Sequence, residues 1–170
     1  RQTGRKTAMK ITDALYGEHG PLYALLAHCE ISAPQWELAD LLLAGRAVEA
    51  ALLSHAEVED ELLFRAVEAK MPPGGPTDVL RGEHEEIDAT LAALRATGDE
   101  AAARRAVLQV VALAREHFAK EEQVLFPIAE EMVPREELER LGAEWALRRG
   151  VALARRPACH IPAGVGCAAS

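Results

Sequence analysis

Two stretches of this 170-residue chain share one chemical frame. His55-Ala-Glu-Val-Glu59-Asp-Glu-Leu-Leu-Phe64 and His117-Phe-Ala-Lys-Glu121-Glu-Gln-Val-Leu-Phe126 both read His-x-x-x-Glu-acid-x-apolar-Leu-Phe. Residues four apart lie only about 40° round an α-helix from each other, so each imidazole and its carboxylate face one way and can grip one ion. A Glu-His step precedes each stretch. Glu18-His19 comes ahead of His55 and Glu83-His84 ahead of His117, with the paired histidines 36 and 33 residues apart. The chain therefore reads as two copies of one helical hairpin. A lone His-x-x-x-Glu is ordinarily an exposed surface pair. Repetition argues otherwise, because four of the six histidines fall in the repeated frame.

The faces that carry these histidines are otherwise apolar. His19 shares its face with Leu15, Leu22, Tyr23 and Leu26, and His84 with Leu80, Ile87 and Leu91. Leu62 follows in the stripe of His55, and Val110, Leu113, Val124 and Ile128 occupy that of His117. Burying all four faces brings four imidazoles and two carboxylates into one core, at several kcal/mol for each unpaired charge. Cations resolve the conflict, since imidazole and carboxylate are ligands and the positive charge neutralises the acids. Four nitrogens and two carboxylates suit two cations, each taking two His, with both Glu bridging the pair. A single zinc ion takes four ligands and calcium wants more oxygen, so iron fits best, with manganese or a mixed pair behind it.

The candidate metal ligands are thus His19, His55, Glu59, His84, His117 and Glu121. Tyr16, Tyr23 and Asp88 lie on the ligand faces and are candidates for an extra ligand or a hydrogen-bonding partner of one. Glu122 is the alternative bridging acid, and with Glu57, Asp60 and Glu61 it otherwise reads as a solvated face. His28 sits about half a turn round from His19 and reads as exposed or capping, and Cys29 as a small buried or half-buried thiol.

Breakers set the elements that must position these residues: Gly20-Pro21, Ser32-Ala33-Pro34-Gln35, Met71 to Pro76, Thr97-Gly98-Asp99 and Val133-Pro134. Four long helical segments are predicted between them. The first spans about Ala8 to Cys29, and the second about Ala33 to Lys70 behind Ser32 as N-cap. The third spans about Asp78 to Ala96 behind Thr77, and the fourth about Glu100 to Met132 behind Asp99. Short connections favour antiparallel neighbours, hence an all-α, up-down-up-down four-helix bundle. A further short helix is expected from Arg135 to about Leu153. Residues 1–156 read as one domain and 157–170 as an irregular tail, whose Cys159, His160 and Cys167 fit no standard metal-site spacing.

Composition supports the helical reading. Hydrophobic residues make up 49% of the chain but aromatic ones only 4%, and Ala, Leu, Glu and Arg, strong helix formers, dominate. A formal charge of -8 argues against nucleic acid or an acidic membrane as partner. No run approaches the length of a membrane span. The basic start is too short and polar for a signal sequence. Three widely spaced cysteines argue against a disulfide framework, so a cytoplasmic location is expected.

The ordered set of His19, His55-x-x-x-Glu59, His84 and His117-x-x-x-Glu121 resembles the hemerythrin-like (HHE) cation-binding family over roughly residues 8–132. Leu125-Phe126-Pro127 also looks like the family's Leu-Phe-Pro ending. The resemblance implies two Fe ions, one held by His19 and His55 and the other by His84 and His117. Glu59 and Glu121 would bridge them, with an oxo or hydroxo group completing the bridge. Oxygen-carrying members supply a fifth His about one turn from the position of His84, where this chain has Leu80 and Asp88. Their second bridging acid lies five residues after its His, where this chain has Glu122.

A site one imidazole short is expected to leave an open position and to serve poorly for reversible oxygen carriage. The better likeness is to bacterial members that repair iron-sulfur centres, handle nitric oxide or peroxide, or sense iron and oxygen. The expected function is a non-haem di-iron protein that binds or reacts with O2, NO or H2O2. The alternative is a non-enzymatic module that senses iron or oxygen or stores iron. No residue stands out as a catalytic acid or base, and carrier, sensor, enzyme and homodimer all stay open at this point.

Overall fold

The computed structural model of the chain describes residues 8–153, and every regular element in that span is helical. The tail 157–170, with Cys159, His160 and Cys167, lies outside the described residues, as does the expected domain boundary at 156.

Helix α1 (Ile11–Ser32) starts where the Lys10 backbone N–H donates to the Asp13 side chain at 3.0 Å. It runs straight through Gly20-Pro21. Ser32 is the last residue of α1 rather than the cap of the next helix. Pro34 has no N–H to extend the ladder, so the chain turns through one 3-10 turn, Ala33–Gln35, before α2 (Leu38–Val58) begins. Helix α4 (Pro76–Ala96) opens on a proline, tolerated where the first-turn N–H has no partner anyway. Helix α5 (Glu100–Lys120) is capped by Asp99, which accepts from the Ala102 N–H at 2.7 Å. Helix α7 (Arg135–Arg148) stops about five residues short of the expected Leu153. Gly150 takes φ +65 there, and the N–H groups of Gly150 and Val151 return to the carbonyls of Leu147 and Ala146 at 3.2 and 2.8 Å.

The second and fourth segments depart from the unbroken helices expected of them. Each carries a π-helical turn, Glu59–Phe64 after α2 and Glu121–Leu125 after α5. The short helices α3 (Arg65–Glu68) and α6 (Phe126–Met132) follow them. The cause lies in the spacing of what must be buried. His55, Glu59, Leu63 and Val67 are all buried, as are His117, Glu121, Leu125 and Ala129, at steps of four residues. In a regular helix each such step drifts about 40°, so three would turn the last side chain about 120° away. One wider turn absorbs the drift. Within the second such turn Val124, expected to face inward, is exposed, and Leu125 and the following Phe126 are buried instead.

Helix α1 packs on α2, α5 and α7, and α4 packs on α2 and α5. Thr12 bonds Glu130, and Glu30 bonds Arg115. Arg104 donates to the carbonyls of Ala33 and Trp36, so α1 runs antiparallel to α5 and α6. The apolar core divides in two. Leu22, Leu26, Leu52, Ile87, Leu91 and Phe118 belong to one cluster, and Leu15, Val58, Leu63, Phe64, Leu80 and Leu125 to the other. His19, His55, His84 and Glu121 lie in sequence where their helices pass from one cluster to the other, with Glu59 and His117 just beside those crossings, so the polar residues form a layer between two dry ones. Among the described residues no helix is long and apolar enough to cross a membrane.

Helix α7 seats closely on the start of α1. A methyl group at Gly142 would overlap the Met9 carbonyl oxygen, and backbone cannot step aside as a side chain does. Gly142→Ala is expected to cost about 1–3 kcal/mol, a fall of roughly 2–12 °C in the thermal unfolding midpoint for a chain of this size. An unchanged midpoint would show that α7 does not seat on α1 in solution.

Candidate metal centre

His19 projects from the middle of α1 and His84 from α4, while His55 and His117 stand in the last turns of α2 and α5. Glu59 and Glu121 are the first residues of the two π-helical turns. These six side chains converge. Glu59 and Glu121 are 0% exposed and His19, His55 and His117 at most 3%, whereas the His84 side chain keeps 13%. Their donor atoms form two groups with all atoms within 4.8 Å of one another: His19, His55 and Glu121 in one, Glu59, His84, His117 and Glu121 in the other. Glu121 belongs to both. One of its oxygens lies 3.0 Å from His19 Nε2 and the other 2.6 Å from His117 Nε2. Glu59 joins only the second group, its oxygen 3.8 Å from His84 Nε2.

The donors fit metal ions rather than one another. His19 Nε2, His55 Nε2 and all four carboxylate oxygens of Glu59 and Glu121 are buried with no hydrogen-bond partner, a costly state for polar atoms unless something positive lies among them. His84 Nε2 and His117 Nε2 face each other at 2.9 Å. Two nitrogens each about 2.1 Å from one cation, at right angles, stand about 3.0 Å apart.

A model of the hemerythrin HHE cation binding domain matches residues 10–129 and again residues 75–145. The chain belongs to the hemerythrin HHE cation-binding family. No curated protein and no solved structure matches it.

In this hemerythrin-family chain the back of every imidazole meets an acid. His55 Nδ1 donates to Glu18 at 2.8 Å, His117 Nδ1 to Glu83 at 3.0 Å and His19 Nδ1 to Glu122 at 2.7 Å. Asp60 stands 3.7 Å from His84 Nδ1. A proton on Nδ1 leaves the Nε2 lone pair for the centre and fixes the ring's direction. The pattern is two-fold. The acid before each first histidine serves the second histidine of its own hairpin, and the acid after each buried Glu serves the first histidine of the other hairpin. Glu122 is therefore the partner of an imidazole rather than part of a solvated face, on the outer side of His19, whereas Asp60, beyond hydrogen-bonding range of His84, accepts from Arg81 at 2.8 Å as a partly exposed salt-bridged acid. Sequence reasoning missed the roles of Glu18 and Glu83. The repeated Glu-His step was their signal, but neighbours in a helix point about 100° apart, so each acid reaches a ring on another helix.

Of the other candidates, Tyr16 is 59% exposed and lies outside His19. Tyr23 sets its ring edge-on to His19 with centroids 6.1 Å apart, and burial with the charge of Glu122 raises its phenol pKa. Asp88 is exposed and lines a cavity of about 220 Å³ shared with Leu52, His55, His84, Ile87 and His117. His19, by contrast, is stacked between Phe118 and Phe126 at 4.3 and 5.6 Å.

Electrostatics follow from burial and proximity. Burial and the neighbouring Glu121 raise the Glu59 pKa well above the usual carboxyl range. Burial would raise Glu121 too, but the adjacent His117 and His19 imidazoles hold it low. Burial pulls the His55 imidazole down against the pull of Glu18. It opposes protonation of His117 as well, yet Glu121 and Glu83 win and raise that group. Glu18, despite burial, is held at about 2 by His55, Arg149 and Trp145.

Proposed function

We propose that the chain is a non-haem di-iron protein that binds or reacts with a small ligand such as O2, NO or peroxide. The observation that carries this reading is the sharing of Glu121 by two donor groups of two histidines each, which suits a carboxylate-bridged pair better than a single ion. The helices holding the donors would form an up-down-up-down bundle, a reading supported by the antiparallel run of α1 against α5 and α6. His19 and His55 would hold one ion and His84 and His117 the other, with Glu121 between them and Glu59 on the second. Bound iron would supply redox change and an open position for the ligand.

The protein's own residues would do the rest. Glu18, Glu83 and Glu122 would hold their histidines as Nδ1-protonated tautomers with Nε2 inward. Phe118 and Phe126 would keep water from His19. The cavity at His84 and Asp88, about 220 Å³, has room for a diatomic or peroxide and falls below the roughly 300–1,000 Å³ of pockets for drug-sized molecules. Absence of a fifth histidine would leave room for such a ligand.

A second reading, a module that reports metal or oxygen occupancy to a partner, is favoured by the hydrogen bonds that tie α7 to Glu18. Turnover separates the two: peroxide or nitric oxide consumed many times per chain favours chemistry, a single stoichiometric change favours reporting.

The first test is metal content with an optical spectrum on protein purified without added metal, beside His117→Ala. Close to two irons per chain, with charge-transfer absorption in the near-ultraviolet that the substitution removes, is expected. A wild-type chain that stays folded and takes up no iron would sink the reading.

A further inference from the structure

We infer that Trp145 and Arg149, the end of α7, are positioning residues that make the His19–His55 ion the more firmly held of the pair. The inference rests on the two-ion reading above. The Trp145 indole N–H donates to Glu18 Oε1 at 2.8 Å. The Arg149 guanidinium donates to the same oxygen at 2.6 Å and to Glu18 Oε2 at 3.3 Å. Its Nη1 donates to the Ser54 hydroxyl at 2.6 Å, and Nη2, which also meets Glu18 Oε2, donates to the Ser54 carbonyl at 2.7 Å. One side chain thus grips both the carboxylate behind His55 and the backbone just before it.

Arg149 itself is stationed by the C-terminus of α7, where its N–H closes on the Trp145 carbonyl at 2.9 Å and the left-handed Gly150 follows. Trp145 and Arg149 are four residues apart and so share one face. Arg149 lies beyond residue 145, where the family match ends, so nothing in that match assigns it a part in the site.

The other hairpin lacks this brace. Glu83, the counterpart of Glu18, is met by Lys120, a flexible amine whose side chain is 48% exposed. His84 has its acid at 3.7 Å, beyond hydrogen-bonding range, and its Nδ1 is without a hydrogen-bond partner. Both halves border the cavity, through His55 on one side and His84 and His117 on the other, so the difference between them lies in the acids behind the rings. A ligand ring held from behind by a fixed carboxylate loses its ion slowly, because the ring cannot turn away. A ring with a loose partner can.

The test is chelation kinetics on the full chain loaded with Fe(II) under anaerobic conditions, followed by absorbance of the chelator complex. Wild type is expected to release its ions in a fast and a slow phase. Arg149→Ala and Trp145→Phe, the second keeping the ring and removing only the N–H, are expected to speed the slow phase about tenfold or more and to leave the fast phase alone. Arg149→Lys, which keeps the charge toward Glu18, should restore part of the slow phase. Arg104→Ala is the control for general weakening, since it cuts hydrogen bonds to the Ala33 and Trp36 carbonyls far from the ligands. It should change neither phase.

Two ions released with unchanged phases in the Arg149 and Trp145 variants would overturn the inference and leave the di-metal reading standing. Equal acceleration of both phases in the Arg149, Trp145 and Arg104 variants would also overturn it, showing α7 to be plain scaffold. A wild-type chain that binds no metal would overturn both readings together.

Discussion

Glu121→Gln is expected to empty both metal positions, whereas Glu59→Gln is expected to empty one. The asymmetry follows from placement, since Glu121 stands in both donor groups and Glu59 only in the group of His84 and His117. An amide keeps the shape but offers one neutral oxygen, and its NH2 would aim a donor at a histidine or a cation. Loss of even an outer partner of a ligand costs about 10–100-fold in affinity, and loss of a donor shared by two ions should exceed that. Metal analysis after gel filtration should read close to zero for Glu121→Gln and about one ion per chain for Glu59→Gln, with helical circular dichroism retained in both. Retained folding is expected because replacing a buried carboxylate by an amide removes a desolvation cost in the metal-free chain. Two ions retained in Glu121→Gln would show that the bridging acid lies elsewhere, and Glu122→Gln would then be the variant to measure.

Chelation should lower the thermal midpoint steeply. With free metal a thousandfold above each dissociation constant, binding adds about 4 kcal/mol per ion, so about 8 kcal/mol for the pair. At about 2–4 °C per kcal/mol for a chain of this size, the midpoint should fall by roughly 15–30 °C. The gap should also widen with pH. Bound ligands must be deprotonated, so loaded protein gains as protons become scarcer. The metal-free chain moves the opposite way through Glu59. Its folded-state pKa is raised above the unfolded value, so its contribution is complete below the ordinary carboxyl range and is lost as pH rises through the elevated value. Calorimetry of loaded and chelated protein at pH 5 and pH 8 checks both the size and the trend. A midpoint indifferent to chelation would mean that the polar layer is satisfied without metal.

These two expectations draw on different sources. That six residues would meet was legible in the chain, because spacing of four on a helix and repetition between hairpins are properties of the sequence. That Glu121 is shared and Glu59 is not depends on how far α2 and α5 are slid and turned against α1 and α4. The π-helical turns lie between these cases. Buried positions recurring every four residues, from His55 to Val67 and from His117 to Ala129, were visible as a pattern, but in an isolated helix that pattern only drifts round the axis. It becomes a wide turn once neighbours hold both ends of it against the core. For that reason Val124, which continues a regular stripe, ended outside.

The sequence by itself determined an all-helical chain, its two-fold repeat, its membership of a cation-binding family and the set of residues that converge. Each rests on short-range geometry, in which side-chain direction follows from position along one helix. Tertiary structure alone decided which acid braces which imidazole, which histidines border the cavity, and that α7 reaches back to Glu18 through Trp145 and Arg149. Such pairings cross between helices, and their distances depend on the stagger and rotation of whole elements set by packing the two apolar clusters. A chain read one helix at a time does not carry that information.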